Sequence, residues 1–126
     1  MTIVEEGVSS VYAAPGTRGA VAEYRSRYGH YIGGEWVEPL AGEFFENITP
    51  VTGEVLCEVP RSRAADVEKA LDEAQKAKKA WARMSVTERS NILLKIAQRI
   101  EDNLELLAHA ETWDNGKPIR ETMAAD

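Results

Sequence analysis

Apolar residues recur along this chain in two rhythms, one for strands and one for helices. From about residue 30 to 59 the pattern is short and extended. His30-Tyr-Ile-Gly-Gly-Glu-Trp-Val37 reads as a hairpin. Its Gly33-Gly34 pair can supply the two left-handed residues of a type I′ turn. Glu43-Phe-Phe-Glu-Asn-Ile48 reads as a second extended run, followed by the turn cluster Thr49-Pro-Val-Thr-Gly53. Glu54-Val-Leu-Cys-Glu-Val59 alternates, which predicts a strand with Val55, Cys57 and Val59 on one face.

Beyond Pro60 the period lengthens. Ser62 is a candidate cap. Val67, Ala70, Leu71, Ala74, Ala77 and Trp81 form a stripe at helical spacing, predicting a helix over about 63–82. Trp81 is read as a packing anchor. Asp66 and Glu68 lie near the helix start and Lys76, Lys78 and Lys79 near its end, as the helix dipole favours, and the lysines read as a solvated face. After a short break at Arg83 and Met84, Ser85 and Glu88 have capping-box spacing. Ile92, Leu93, Ile96, Ala97, Ile100, Leu104, Leu107 and Ala108 then predict one long helix over 86–115, antiparallel to the first. Gly116 suits a left-handed helix end, and Pro118 suits the start of a third helix over 118–126, for which no stop signal is present. Residues 1–27 lack clear periodicity. They form a leader, draped or mobile, in which Val8, Val11 and Tyr12 are packing candidates and Ala13-Ala-Pro-Gly16 reads as a turn.

Composition narrows the classes. The chain has 126 residues, 44% apolar content and a net charge of −6. Without a basic stripe it is a poor nucleic-acid ligand. No basic n-region with an apolar h-region opens it, and no apolar run is long enough for a bilayer, so the expectation is a cytoplasmic protein without membrane partners. The single cysteine, Cys57, excludes an intrachain disulfide. It sits on the strand, with no base or cationic neighbour in sequence to activate it, and reads as a core residue rather than a nucleophile. His30 and His109 have no ligand-type neighbours at useful spacing and read as structural or surface residues. Gly16 and Gly19 do not form a dinucleotide-binding G-x-G-x-x-G, and no strand leads into them.

Several pieces in this order carry a family resemblance: Tyr31-Ile-Gly-Gly-Glu-Trp-Val37, Pro50-Val-Thr-Gly-Glu54, Asp66-Val-Glu-Lys-Ala70, Trp81, Glu88-Arg89 and Glu111-Thr-Trp-Asp-Asn-Gly-Lys-Pro118. Together, from about Tyr28 onward, they resemble the N-terminal segment of NAD(P)-dependent aldehyde dehydrogenases. Glu46-Asn-Ile-Thr-Pro50 and the stretch after Glu111 are most similar to bacterial acetaldehyde and chloroacetaldehyde dehydrogenases. Thr49 departs from the wider family, which usually has Asn before the proline.

The resemblance implies an α/β fold with a Rossmann-type cofactor domain, of which residues 28–126 hold only the N-terminal hairpin strands and first helices. It implies that the complete enzyme oxidises a small aldehyde through a cysteine thioester, with NAD or NADP, as a homo-oligomer, with a tetramer expected. The nucleophile and the cofactor loop fall outside these residues. No catalytic or cofactor-binding residue is therefore assigned, and the chain alone is expected to be inactive and to bind no cofactor. A coenzyme A-dependent relative and a non-catalytic helix-pair binding module are the other readings. The resemblance also implies a monovalent cation held by the backbone carbonyls of Asn47 and Ile48 and by Asp114. Otherwise Asp114 only helps to end its helix. Glu111 and Lys117 read as structural.

Overall fold

A computed structural model describes residues 13–124. The strand region forms two antiparallel hairpins. β1 (His30–Ile32) pairs with β2 (Glu35–Val37), with Tyr31 opposite Trp36. Gly33 and Gly34 have φ of 65° and 89°, the two positive values that a type I′ turn demands. β3 (Phe44–Ile48) pairs with β4 (Val55–Pro60). The register runs from Asn47 opposite Cys57 to Ile48 opposite Val55, so Leu56 is the extra residue of a bulge. A bulge interrupts the ladder locally and bends the strand. That bend explains why the expected alternation is only partly met: Cys57 is buried, while Val55 is half exposed.

The leader drapes, as far as it is described. Val8, Val11 and Tyr12 lie outside the described residues. Ala14 to Gly16 turns as expected, Ala22 is buried, and the Tyr24 hydroxyl donates to the Ala110 carbonyl at 2.5 Å. Tyr28 N–H donates to the Glu58 carbonyl, and Glu58 N–H donates to the Ser26 carbonyl, both at 2.9 Å. The leader therefore adds a parallel bridge to the edge of β4 opposite β3.

The helical region departs from expectation in four ways. First, α1 (Ala64–Arg83) is capped at Arg63, not Ser62. Asp66 supplies the cap: its carboxylate accepts from Arg63 N–H at 2.9 Å and from Leu40 N–H at 2.8 Å, pinning the helix start to the loop before β3. Second, the expected long helix is two, α2 (Val86–Asp102) and α3 (Leu104–Asn115). The break falls at Asn103, whose side chain donates to the Arg99 carbonyl at 2.7 Å. Asn competes for backbone groups and so favours helix ends. Third, α1 and α2 do not pack as an antiparallel pair; α1 lies by β1, and α2 by α3. Their link, Met84 and Ser85, is extended, and their apolar stripes stay open. Leu71, Leu93 and Ile96 are each more than half exposed, and Trp81 is exposed rather than an anchor. Fourth, the third helix, α4, spans only Ile119–Thr122, with Pro118 as its cap.

The α2 start matches expectation. Ser85 N–H donates to Glu88 Oε2 at 2.8 Å, and Glu88 N–H donates to Ser85 Oγ at 3.2 Å. The expected outcome of Ser85→Ala is a loss of about 1 kcal/mol in urea unfolding. The two N–H donors on Asp66 hold its carboxyl below the usual carboxylate range. A depressed folded-state pKa stabilises above the unfolded value and loses that contribution as pH falls through the folded one. Asp66→Asn is therefore expected to lower the melting temperature at pH 7 and to flatten its decline below about pH 4, as thermal melts across pH would record.

Candidate functional site

The most constrained region lies where the β3–β4 turn meets the end of α3. Three facts of local chemistry build it. Helix C-termini leave carbonyls without intrahelical partners. Gly116, at φ 78°, closes α3 in the left-handed conformation, and its N–H returns to the Thr112 carbonyl at 2.9 Å. Trp113 carries the next of these carbonyls. The Thr49 hydroxyl, on a residue only 1% exposed, donates to it and accepts from Val51 N–H at 3.2 Å. Pro50 packs so close to Gly116 that a Cβ there would stand 3.0 Å from the proline Cγ. Thr49, where the sequence departs from the pattern it resembles, thus joins hairpin to helix.

Two residues before Thr49, Asn47 Nδ2 donates to Asp114 Oδ1 at 2.6 Å and lies 3.9 Å from Cys57 Sγ. The structure therefore brings Asn47 and Asp114 together across 67 positions of sequence. Ile48 adjoins them at the bulge, with its side chain about half exposed. The ladder is interrupted at the two residues, Asn47 and Ile48, whose carbonyls the family resemblance assigns to a cation. A carboxylate and carbonyls are hard oxygen donors of the type that such an ion takes. The donor chemistry therefore fits. Among the described residues no group of three or more His, Cys, Asp or Glu side chains gathers as a metal cluster.

The Asp114 carboxylate acts on its neighbours at this junction. Burial pushes the Tyr24 phenol up to about 12, and the Asp114 charge adds to that shift. Burial also raises the Cys57 thiol, with Asp114 again contributing and the Asn47 hydrogen bond opposing. Cys57 stays protonated near neutral pH, which removes the thiolate that a nucleophile needs. A cavity of about 220 Å³ beside the junction is lined by Tyr24, Thr49, Leu56 and Trp113, among others. Sequence reasoning did not single out Tyr24 or the Thr49 hydroxyl; only the order of residues around the Thr-Pro turn hinted at the latter.

The remaining candidates have structural surroundings. His109 is buried, and its Nδ1–H donates to the Glu105 carbonyl at 2.8 Å. His30 Nε2 lies 3.4 Å from Ser62 Oγ. Glu111 accepts from Asn115 Nδ2 at 3.1 Å. No described helix is long and apolar enough to cross a membrane.

Comparison with known proteins agrees with the resemblance. Residues 36–126 match the aldehyde dehydrogenase family, and the chain belongs to that family. It is 63% identical over 116 residues to an acetaldehyde dehydrogenase of Pseudomonas aeruginosa, covering 92% of this chain and 23% of that protein. It is 58% identical over 127 residues to an aldehyde dehydrogenase of Deinococcus radiodurans, covering all of this chain and 25% of that one. The fold is similar to that of an indole-3-acetaldehyde dehydrogenase complexed with NAD+, with a TM-score of 0.72 and 37% identity over 75% of this chain and 20% of the other. The chain spans about a quarter of the length of these curated relatives.

Thr49→Val keeps the shape of the side chain and removes its hydroxyl. It leaves the Trp113 carbonyl without that donor, and the expected loss is about 1–3 kcal/mol, read from urea unfolding.

Proposed function

We propose that the polypeptide carrying this chain oxidises a small, acetaldehyde-like aldehyde to its carboxylic acid, with NAD or NADP as hydride acceptor and a cysteine thioester as intermediate. The observation that carries this reading is the 63% identity to an acetaldehyde dehydrogenase along 92% of the chain. In this reading residues 28–126 are the opening scaffold of the cofactor domain. Their hairpins and helices support the nucleotide site without contributing to it, and residues 1–126 alone are inactive and bind no coenzyme. Two features support this division. Cys57 is buried and held protonated, unsuited to attack on a carbonyl. The open stripes of α1 and α2 offer apolar faces that the rest of the enzyme would cover. The enzyme is proposed to act in the cytoplasm as a homo-oligomer, with a tetramer expected.

Within the same reading, the Asn47 and Ile48 carbonyls and Asp114 hold a structural monovalent cation. Its charge would balance Asp114 and tie β3 to the end of α3.

The test is an assay of NAD(P)H formation with acetaldehyde, run on the native polypeptide and on residues 1–126 in parallel. Aldehyde-dependent reduction by the native polypeptide alone is the expected result. Absence of turnover with both coenzymes would overturn the enzymatic reading. Turnover by residues 1–126 would overturn the scaffold assignment.

A further inference from the structure

The Asn47 side chain does something at this junction that its backbone carbonyl does not. Its amide N–H approaches Asp114 Oδ1 at 2.6 Å, and among the described residues it is the one hydrogen-bond donor that reaches this carboxylate. A cation and an N–H both present positive charge to the same oxygen, so they compete for it. With Oδ1 engaged, the carboxylate offers an incoming ion chiefly Oδ2. Divalent ions such as Ca2+ are held by several oxygens, commonly with more than one carboxylate or a bidentate one. One carboxylate, half engaged, with neutral carbonyls, matches a single positive charge.

Resting on the cation reading above, we propose that the Asn47 side-chain amide sets the ion preference of this site, admitting Na+ or K+ weakly and turning divalent ions away. It also acts as a built-in substitute for the ion, holding the Asp114 carboxylate beside β3 when the cation leaves. Replacing the amide by a carboxylate would place two anionic groups within hydrogen-bond distance of each other. That pair is unfavourable by itself and is relieved by a divalent cation.

The experiment is a set of thermal melts of the full-length protein at constant ionic strength in choline, sodium, potassium and calcium chlorides. The variants are Asn47→Ala, Asn47→Val, Asn47→Asp and Asp114→Asn. The wild type is expected to gain melting temperature with Na+ or K+ over choline, with no further gain from Ca2+, and Asp114→Asn to lose that response. Removing the amide should tighten the half-saturating Na+ or K+ concentration by about fivefold, the equivalent of one hydrogen bond of net strength near 1 kcal/mol. Asn47→Val serves if Asn47→Ala does not fold. Asn47→Asp should gain a Ca2+-dependent rise. No Na+ or K+ response in the wild type, or a response that survives in Asp114→Asn, would overturn the cation reading itself. A wild-type response that vanishes in Asp114→Asn yet is unaltered in the Asn47 variants would leave that reading standing and overturn the role of the amide.

Discussion

The Thr49 hydroxyl on the Trp113 carbonyl is the interaction on which the rest of this structure depends. It joins a turn between two short strands to the end of a helix 64 positions later. Two-stranded hairpins are marginal alone, and a helix the length of α3 is marginal alone. Each gains stability by being tied to the other. The bond also fixes register: with Thr49 on Trp113, Asn47 falls beside Asp114 and Pro50 beside Gly116. An ordinary side chain at Gly116 would push against the proline, so the left-handed helix end and the close turn require each other.

Around that tie the protein is held by directed polar contacts more than by a broad core. Among the described residues the buried apolar ones are small, Ala22, Cys57 and Ala108, from the leader, β4 and α3. Asp66 fastens the start of α1 to Leu40, Tyr24 fastens the leader to α3, and the Thr112 hydroxyl meets Thr122 of α4 at 3.1 Å. Meanwhile Leu71, Leu93, Ile96 and Ile100 remain largely uncovered. This is the character that the proposed scaffold role calls for: local elements are well formed, and large apolar faces are left open.

Features set by neighbours in sequence were legible. Ser85 with Glu88, the Gly33-Gly34 turn and the Gly116 helix end follow from spacing and backbone freedom, and each stands where expected. Features set by distant partners were not. The split at Asn103 was hidden because the apolar period runs through it, and only the competing side chain shows why a helix stops there. The antiparallel pairing of α1 and α2 was inferred from a short link, but a short link does not make two stripes face each other. Asn47 and Asp114 came forward through family resemblance, since nothing in the local pattern of either strand or helix predicts their contact. The Thr49 bond was visible only as a departure from a family pattern, without its purpose.

The most direct test of the account is a double-mutant cycle between Asn47 and Asp114, with both replaced by Ala singly and together and stability read from urea unfolding. If the hairpin and the helix end are joined here, the two substitutions couple by about 1 kcal/mol, a charge-assisted hydrogen bond discounted for the exposure of Asp114. Strictly additive losses would mean that the two residues do not sense each other, and would contradict the register in which the Thr49 tie sets Asn47 beside Asp114.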